Sequence, residues 1–220
     1  MRPIYPPVYP PIGFHGDRYL LELVDFLADK VAVFIETGTN IAATLRYFAS
    51  TYKRIKCYSC EPDKEKYQRA CDNIKKMKNA RVFNTDSRTF FNSLLKHKDF
   101  SFESPTLFWL DAHGGRFEWP LLFEISFITS RCNNAFVLID DFQIPGKKQF
   151  QFDTYAEHVC SYVYVRNSIN AKTKYRLYYP KYTEHTSKYH PLVGWGLIEL
   201  YKNESLNIHE KLEFIEKSNA

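Results

Sequence analysis

Apolar and polar positions follow two rhythms along this chain. Val31–Ile35 is a short apolar run rich in β-branched residues, as a strand buried on both faces requires. From Ile41 the spacing turns helical, with Ile41, Thr44, Leu45 and Phe48 on one face, which predicts a helix over 41–50. A helix over 17–29 precedes the strand, capped by Asp17, with Leu20, Leu23, Val24 and Leu27 as its apolar face. Further strands are predicted over 55–60, 81–84, 106–110 and 135–139. Helices are predicted over 64–77, 87–97 and 117–131, with Pro120 tolerated in the first turn of the last. This sustained alternation predicts an α/β fold with a doubly wound parallel sheet. Beyond it, 153–163 reads as a helix through Tyr155, Val159 and Tyr162. Residues 175–179 and 194–200 read as an antiparallel pair, and 206–217 as a terminal helix on Leu206, Leu212 and Ile215. The prolines Pro3, Pro6, Pro7, Pro10 and Pro11 make 1–16 an extended arm, and 17–220 is one domain.

Composition changes this picture little. A length of 220 residues suits a single domain with its own core. The net charge of +5 suits an anionic or polar partner without pointing to nucleic acid. The cysteine count is odd, at five, and the start, Met1-Arg2-Pro3, lacks an apolar leader core. Both predict free thiols in a reducing cytoplasm. Cys57 and Cys60 have the spacing of a redox or zinc pair, but they fall in a predicted strand and point to opposite faces, so they read as buried strand thiols. No apolar run reaches the roughly 18–20 residues that spanning a bilayer needs.

The chemistry sits at the strand ends. Glu36 and Gly38 follow the first strand, where a glycine lets a ligand approach the backbone and a helix start offers free N–H groups. Glu61 ends the second strand about 20 residues after the glycine turn, the place of a ribose-binding carboxylate. Asp63 is free to cap the helix behind it. Asp86 and Ser87 follow the third strand and also suit a helix cap. Asp111-Ala112-His113 ends the fourth strand, and Asp140-Asp141 the fifth. Three converging acids repel one another unless a positive group lies between them, and a divalent cation is one solution. The other reading is that Asp111 alone lines a pocket while the Asp pair ends a strand. Residues 164–192 are dense in Tyr, Lys and Arg, which suits a sugar, a phosphorylated ligand or a nucleobase, or else an exposed hairpin. No Gly-Lys-Thr phosphate loop occurs.

Glu36-Thr37-Gly38 after a first strand, with Glu61, Asp86 and Asp111 at the later strand ends, resembles the class I S-adenosylmethionine-dependent methyltransferases. The resemblance implies a Rossmann-like sheet with an antiparallel C-terminal hairpin. It also implies S-adenosylmethionine held by Glu36 at its methionine end, by the turn Gly38, Thr39 and Asn40, by Glu61 at the ribose, by Asp86 and Ser87 at the adenine, and by Asp111. The family often has glycine where this chain has Asn40 and Ala42. The Asp-x-His followed by Asp-Asp resembles the metal-dependent sugar O-methyltransferases of the macrocin and novobiocin type. There the matching residues, Asp111, Asp140 and Asp141, imply Mg²⁺, and Asp111 or His113 would serve as the base. The expected substrate is a sugar or other hydroxylated small molecule. No membrane partner is expected, nucleic acid stays open, and the N-terminal arm suits a homo-oligomer. The rival expectation is a non-catalytic module of the same fold that binds a glycan, RNA or protein through 164–192.

Overall fold

In the computed structural model, residues 13–97, 100–112, 119–187 and 190–218 are described. After a single turn at Phe14–Gly16, the chain runs α1 (Arg18–Ala28), β1 (Val33–Thr37), α2 (Ala43–Thr51), β2 (Lys56–Cys60), α3 (Lys64–Ile74), β3 (Ala80–Phe83), α4 (Ser87–Leu94) and β4 (Thr106–Leu110). It continues through α5 (Leu121–Arg131), β5 (Ala135–Ile139), the short pair β6 (Thr154–Tyr155) and β7 (His158–Val159), and α6 (Tyr162–Val165). The last elements are β8 (Tyr175–Pro180), β9 (Gly196–Leu200), α7 (Ile208–Lys211) and β10 (Ile215–Lys217).

Eight strands form one sheet in the order β10-β8-β9-β5-β4-β1-β2-β3. β1 to β5 are mutually parallel, and β9 runs antiparallel to both β5 and β8. The chain winds outward from β1 to β3, then returns to the other side of β1 at β4. That reversal opens a crevice at the C-terminal ends of β1 and β4, where open α/β sheets bind ligands. β1, β4, β5 and β9 are buried along their whole length, which is why they read as unbroken apolar runs.

β4 and β5 coincide with the predicted strands. α1 has the predicted cap: Asp17 Oδ1 accepts from the amides of Tyr19 and Leu20 at 2.9 and 3.2 Å. Its other oxygen accepts from Tyr182 Oη at 2.5 Å, and Tyr182 Oη in turn accepts from Trp195 Nε1 at 2.9 Å. Asp17→Ala therefore loses a cap and orphans a buried hydroxyl. Urea denaturation is expected to show a loss of about 2–4 kcal/mol. A loss below about 0.5 kcal/mol, the low end for a cap alone, would refute the coupling of α1 to Tyr182.

Three expectations are corrected. β1 runs to Thr37, so Glu36 lies inside the strand instead of after it. The helix expected over 153–163 is the β6–β7 hairpin followed by α6. Ala156 turns it with φ 50°, Cys160 N donates to Asp153 O, and the Ser161 hydroxyl caps α6. The helical spacing of Tyr155, Val159 and Tyr162, four and then three residues, arose from two separate pieces. The terminal helix over 206–217 stops at Lys211. Leu212 becomes extended, and Ile215–Lys217 pairs with Tyr178–Pro180 instead. The outer edge of β8 has open backbone groups there, and closing that edge outweighs continuing a short helix.

All five cysteines are free; four are buried and Cys71 is partly buried. Burial pushes the Cys57 and Cys60 thiols far up, which suits inert strand residues. Among the described residues, no helix is long and apolar enough to cross a membrane. The arm up to residue 12 lies outside the described residues.

Candidate active site at the switch point

The turn after β1 is built from its contact with β4. Gly38 has φ 79°, and a Cβ there would lie 2.2 Å from Asp111 O and 2.8 Å from Ala112 Cα. The glycine admits the backbone of the β4 loop, and it also lines the cleft beside the turn. The turn's N–H groups are likewise occupied. Gly38 N and Thr39 N both donate to Cys60 O, at 3.2 and 3.1 Å. Asn40 N donates to Glu61 Oε2 at 2.7 Å. Asn40 and Ala42, where glycine was expected, have φ 52° and 64°. The backbone thus keeps the left-handed shape that glycine favours, and Asn adopts it more readily than Ala.

Glu61 is 5% exposed. Its second oxygen accepts from Asp63 N at 3.0 Å, so one carboxylate ties β2 to both the Gly38 turn and the start of α3. Each oxygen keeps a lone pair for a further donor. Asp63 caps α3, as expected. Asp86 caps α4 through Thr89 N at 2.9 Å and is exposed, whereas Ser87 is buried.

Glu36 points below the turn, toward β2. It is 2% exposed and accepts from Ser59 Oγ at 2.7 Å. The Thr39 hydroxyl is in hydrogen-bond contact with Ser59 Oγ and donates to Cys60 O at 3.0 Å. Burial pushes the Glu36 carboxyl up to about 8; the Ser59 and Leu45 hydrogen bonds work against it, and Glu61 adds a smaller push. Glu36 and Thr39 are therefore supports of the turn.

A cleft of about 220 Å³ opens beside this turn, lined by Gly38, Pro62, Asp86, Ser87, Ala112 and Trp119, among others. Arg88 also lines it, with its guanidinium 4.9 Å from the centre of the Phe123 ring. Trp119 stacks on Tyr155 (5.6 Å between ring centres, 27° between planes) and meets Tyr164 edge-on. The β6–β7 hairpin and α6 thus back the tryptophan that closes the cleft. Sequence reasoning passed over Trp119; its place beside Pro120 at a helix start was the available signal.

The acidic corner lies at the neighbouring strand ends. β5 stops at Ile139 and Asp141 has φ 49°, so Asp140 and Asp141 are released from strand alternation. Asp140 is 1% exposed. Both of its oxygens lie within hydrogen-bond distance of His15 Nε2, at 2.8 and 2.7 Å. Asp111 and Asp141 also act on His15 through space. Burial lowers the imidazole's proton affinity, but the Asp140 charge and hydrogen bond, with Asp111 and Asp141, outweigh it and raise the pKa to about 9. The implied Mg²⁺ site would use these same carboxylates, Asp111, Asp140 and Asp141. Among the described residues no group of three or more His, Cys, Asp or Glu side chains is arranged to hold a metal ion. An imidazole already holds both oxygens of the most buried carboxylate, so as arranged the donor set does not fit Mg²⁺, which needs such oxygens as direct ligands near about 2.1 Å. His113 lies outside the described residues.

His15 reaches this corner at a conformational cost. Phe14, His15 and Gly16 have φ 53°, 56° and 66° in succession. Each non-glycine residue held there costs about 1–2 kcal/mol. The sequence signal was Gly13-Phe14-His15-Gly16, two glycines bracketing an aromatic and a histidine just before a helix cap. The tyrosines of 164–192 are also placed differently from expectation. Tyr178, Tyr179 and Tyr182 are buried in the core, with Tyr178 Oη donating to Glu199 at 2.8 Å, so they offer no stacking surface.

No family model and no curated protein matches the chain. Solved structures do. An O-methyltransferase from Bacillus cereus in complex with S-adenosylhomocysteine aligns with TM-score 0.60 over 90% of this chain and 84% of that one, at 12% identity. The O-methyltransferase TomG from Streptomyces achromogenes, involved in tomaymycin synthesis and in complex with S-adenosylmethionine, aligns with TM-score 0.57 over 83% and 78%, also at 12% identity. The chain has the methyltransferase fold. An rRNA methylase from Streptococcus thermophilus shares that fold too, with TM-score 0.51 and 13% identity over 84% of this chain and 97% of its own. The fold is thus shared by proteins described as O-methyltransferases and as an rRNA methylase.

Proposed function

We propose that the chain is an S-adenosylmethionine-dependent methyltransferase acting on a hydroxyl of a small polar or sugar-like acceptor. The observation that carries this reading is the cleft at the switch point, lined by the Asp86–Ser87 pair at its β3 corner, with the buried carboxylate of Glu61 set in the chain between two of its lining residues, Cys60 and Pro62. A nucleoside needs such an arrangement: a carboxylate with spare lone pairs for the ribose diol, and polar groups beside a flat apolar slot for the base. The solved structures with bound cofactor, named above, support the same reading.

When bound, S-adenosylmethionine supplies an electrophilic methyl group. The work of this chain is then to bind, orient and remove a proton. Glu61 accepts from the ribose hydroxyls, Asp86 and Ser87 face the adenine, and Trp119 closes the slot. Gly38, Thr39 and Asn40 shape the turn through their bonds to β2, and Glu36 holds that turn from below. Asp111, just past the end of β4, is the candidate to take the hydroxyl's proton, with His113, two positions further along the sequence, as the other. The acidic corner favours a cationic sulfonium over a neutral thioether, which suits binding of the donor in preference to the spent product.

Isothermal titration calorimetry with S-adenosylhomocysteine tests this. The wild type is expected to bind at one site in the micromolar range. Glu61→Gln is expected to weaken binding by roughly ten- to a hundredfold, the worth of hydrogen bonds to a charged group, with circular dichroism unchanged. A folded wild type that binds no S-adenosylhomocysteine overturns the reading.

A further inference from the structure

The strand ends of β4 and β5 bring three carboxylates together, and the chain answers them with its own N-terminal turn. The turn is fixed from several sides. The Phe14 ring is fully buried, edge-on to Phe34, Tyr47, Phe48 and Trp109. Ser187 Oγ donates to His15 O at 2.7 Å. The His190 ring lies 4.4 Å from that of His15. His15 Nε2 then reaches both oxygens of Asp140. Strained backbone persists only where its surroundings over-determine it, and it gathers where a side chain must be held for a purpose. Two successive left-handed non-glycine residues, each pinned by its side chain, meet that condition.

We propose that His15 takes the place of a divalent cation at this corner, holding Asp140 and offsetting Asp111 and Asp141, so that the transferase needs no added metal. A metal ion entering here would have to evict an imidazole anchored through a buried phenylalanine. His15 is then a positioning residue: it fixes the Asp140 carboxylate and sets the charge that a methyl donor meets. The second part rests on the transferase reading above; the first does not.

Two measurements on the full chain separate them. Mn²⁺ alone serves as the metal probe, followed by its electron paramagnetic resonance signal. The wild type is expected to leave Mn²⁺ free up to about 1 mM, as weak carboxylate contacts do. His15→Ala is expected to bind it at least about tenfold more tightly, and adding Asp140→Asn is expected to cancel that gain. Equal affinity in wild type and His15→Ala overturns the proposal, as does tight wild-type binding that Asp140→Asn removes. His15→Gln keeps a hydrogen-bond donor for Asp140 but drops the positive charge, so it guards against a folding failure in the alanine variant. It is expected to shift the preference for S-adenosylmethionine over S-adenosylhomocysteine upward by roughly fivefold, since only the former carries a sulfonium. An unchanged ratio overturns the charge-setting role. If the wild type binds no S-adenosylhomocysteine at all, the transferase reading falls, while the Mn²⁺ comparison still decides whether His15 fills the cation's place.

Discussion

Gly38→Ala is expected to abolish S-adenosylhomocysteine binding and to lower the unfolding free energy by about 2–5 kcal/mol. Two costs combine. Alanine at φ 79° is strained by about 1–2 kcal/mol wherever it sits. Its Cβ would also stand 2.2 Å from Asp111 O, and that neighbour is backbone, so no side-chain rotation relieves the clash. Overpacking of this kind adds about 1–3 kcal/mol. The β1 turn and the β4 loop must part, and both line the proposed cofactor cleft. The matched control is Asn40→Gly, at φ 52°, which puts glycine where the backbone already suits it and is expected to stay within about 0.5 kcal/mol of wild type. Urea denaturation and calorimetry read both effects. A Gly38→Ala protein that binds S-adenosylhomocysteine like wild type would show that this contact does not shape the cleft.

Stability is expected to fall steadily as pH rises from 6.5 to 9. Two groups, the buried Glu36 and the partly buried His15, drive it in the same direction. Glu36 keeps its proton in the folded state up to about 8, while the unfolded chain releases it near 4.5. The folded state therefore binds more protons across that interval, and folding weakens as pH rises through it. His15 holds its extra proton to about 9 when folded and near 6.5 when unfolded. Its contribution is complete below 6.5 and disappears as pH passes 9. A tenfold difference in proton affinity between the folded and unfolded chain is worth about 1.4 kcal/mol, so each group accounts for a loss on the order of 2–3 kcal/mol across this window. Glu36→Gln keeps the shape without the ionisation. Its advantage over wild type is expected to grow by about 3–4 kcal/mol between pH 5 and pH 8. Urea denaturation at pH 5, 7 and 9 measures this. A wild-type stability that stays flat between 6.5 and 9 contradicts both assignments.

What could be read from the sequence divides along physical lines. β4 and β5 were legible to the residue, because a strand buried on both faces leaves no ambiguity in its apolar run. Glu61 was legible because its place follows from the length of one strand–helix–strand unit. The direction of Glu36 was not. Its strand runs two residues further than the apolar run, which turns the side chain toward Ser59. The partner of Asp140 was hidden for another reason: His15 is 125 positions away, and no local pattern encodes a contact at that range. The sequence did show that three acids needed a positive neighbour. It did not show that the neighbour would be a side chain of the same chain. The hairpin at 154–159 and the strand at 215–217 were missed because short elements are decided by what they pack against, not by their own periodicity.

The left-handed turn at Phe14–Gly16 also bears on the order in which the molecule assembles. Phe14 closes against Trp109, and His15 against Asp140, so these early residues have no seat until β4 and β5 have formed. Closing loops of that length is slow, and the strain of the turn is offset only once its partners are present. On a ribosome, His15 waits for a residue made 125 positions later. The acidic corner is therefore completed only after both strands are in place.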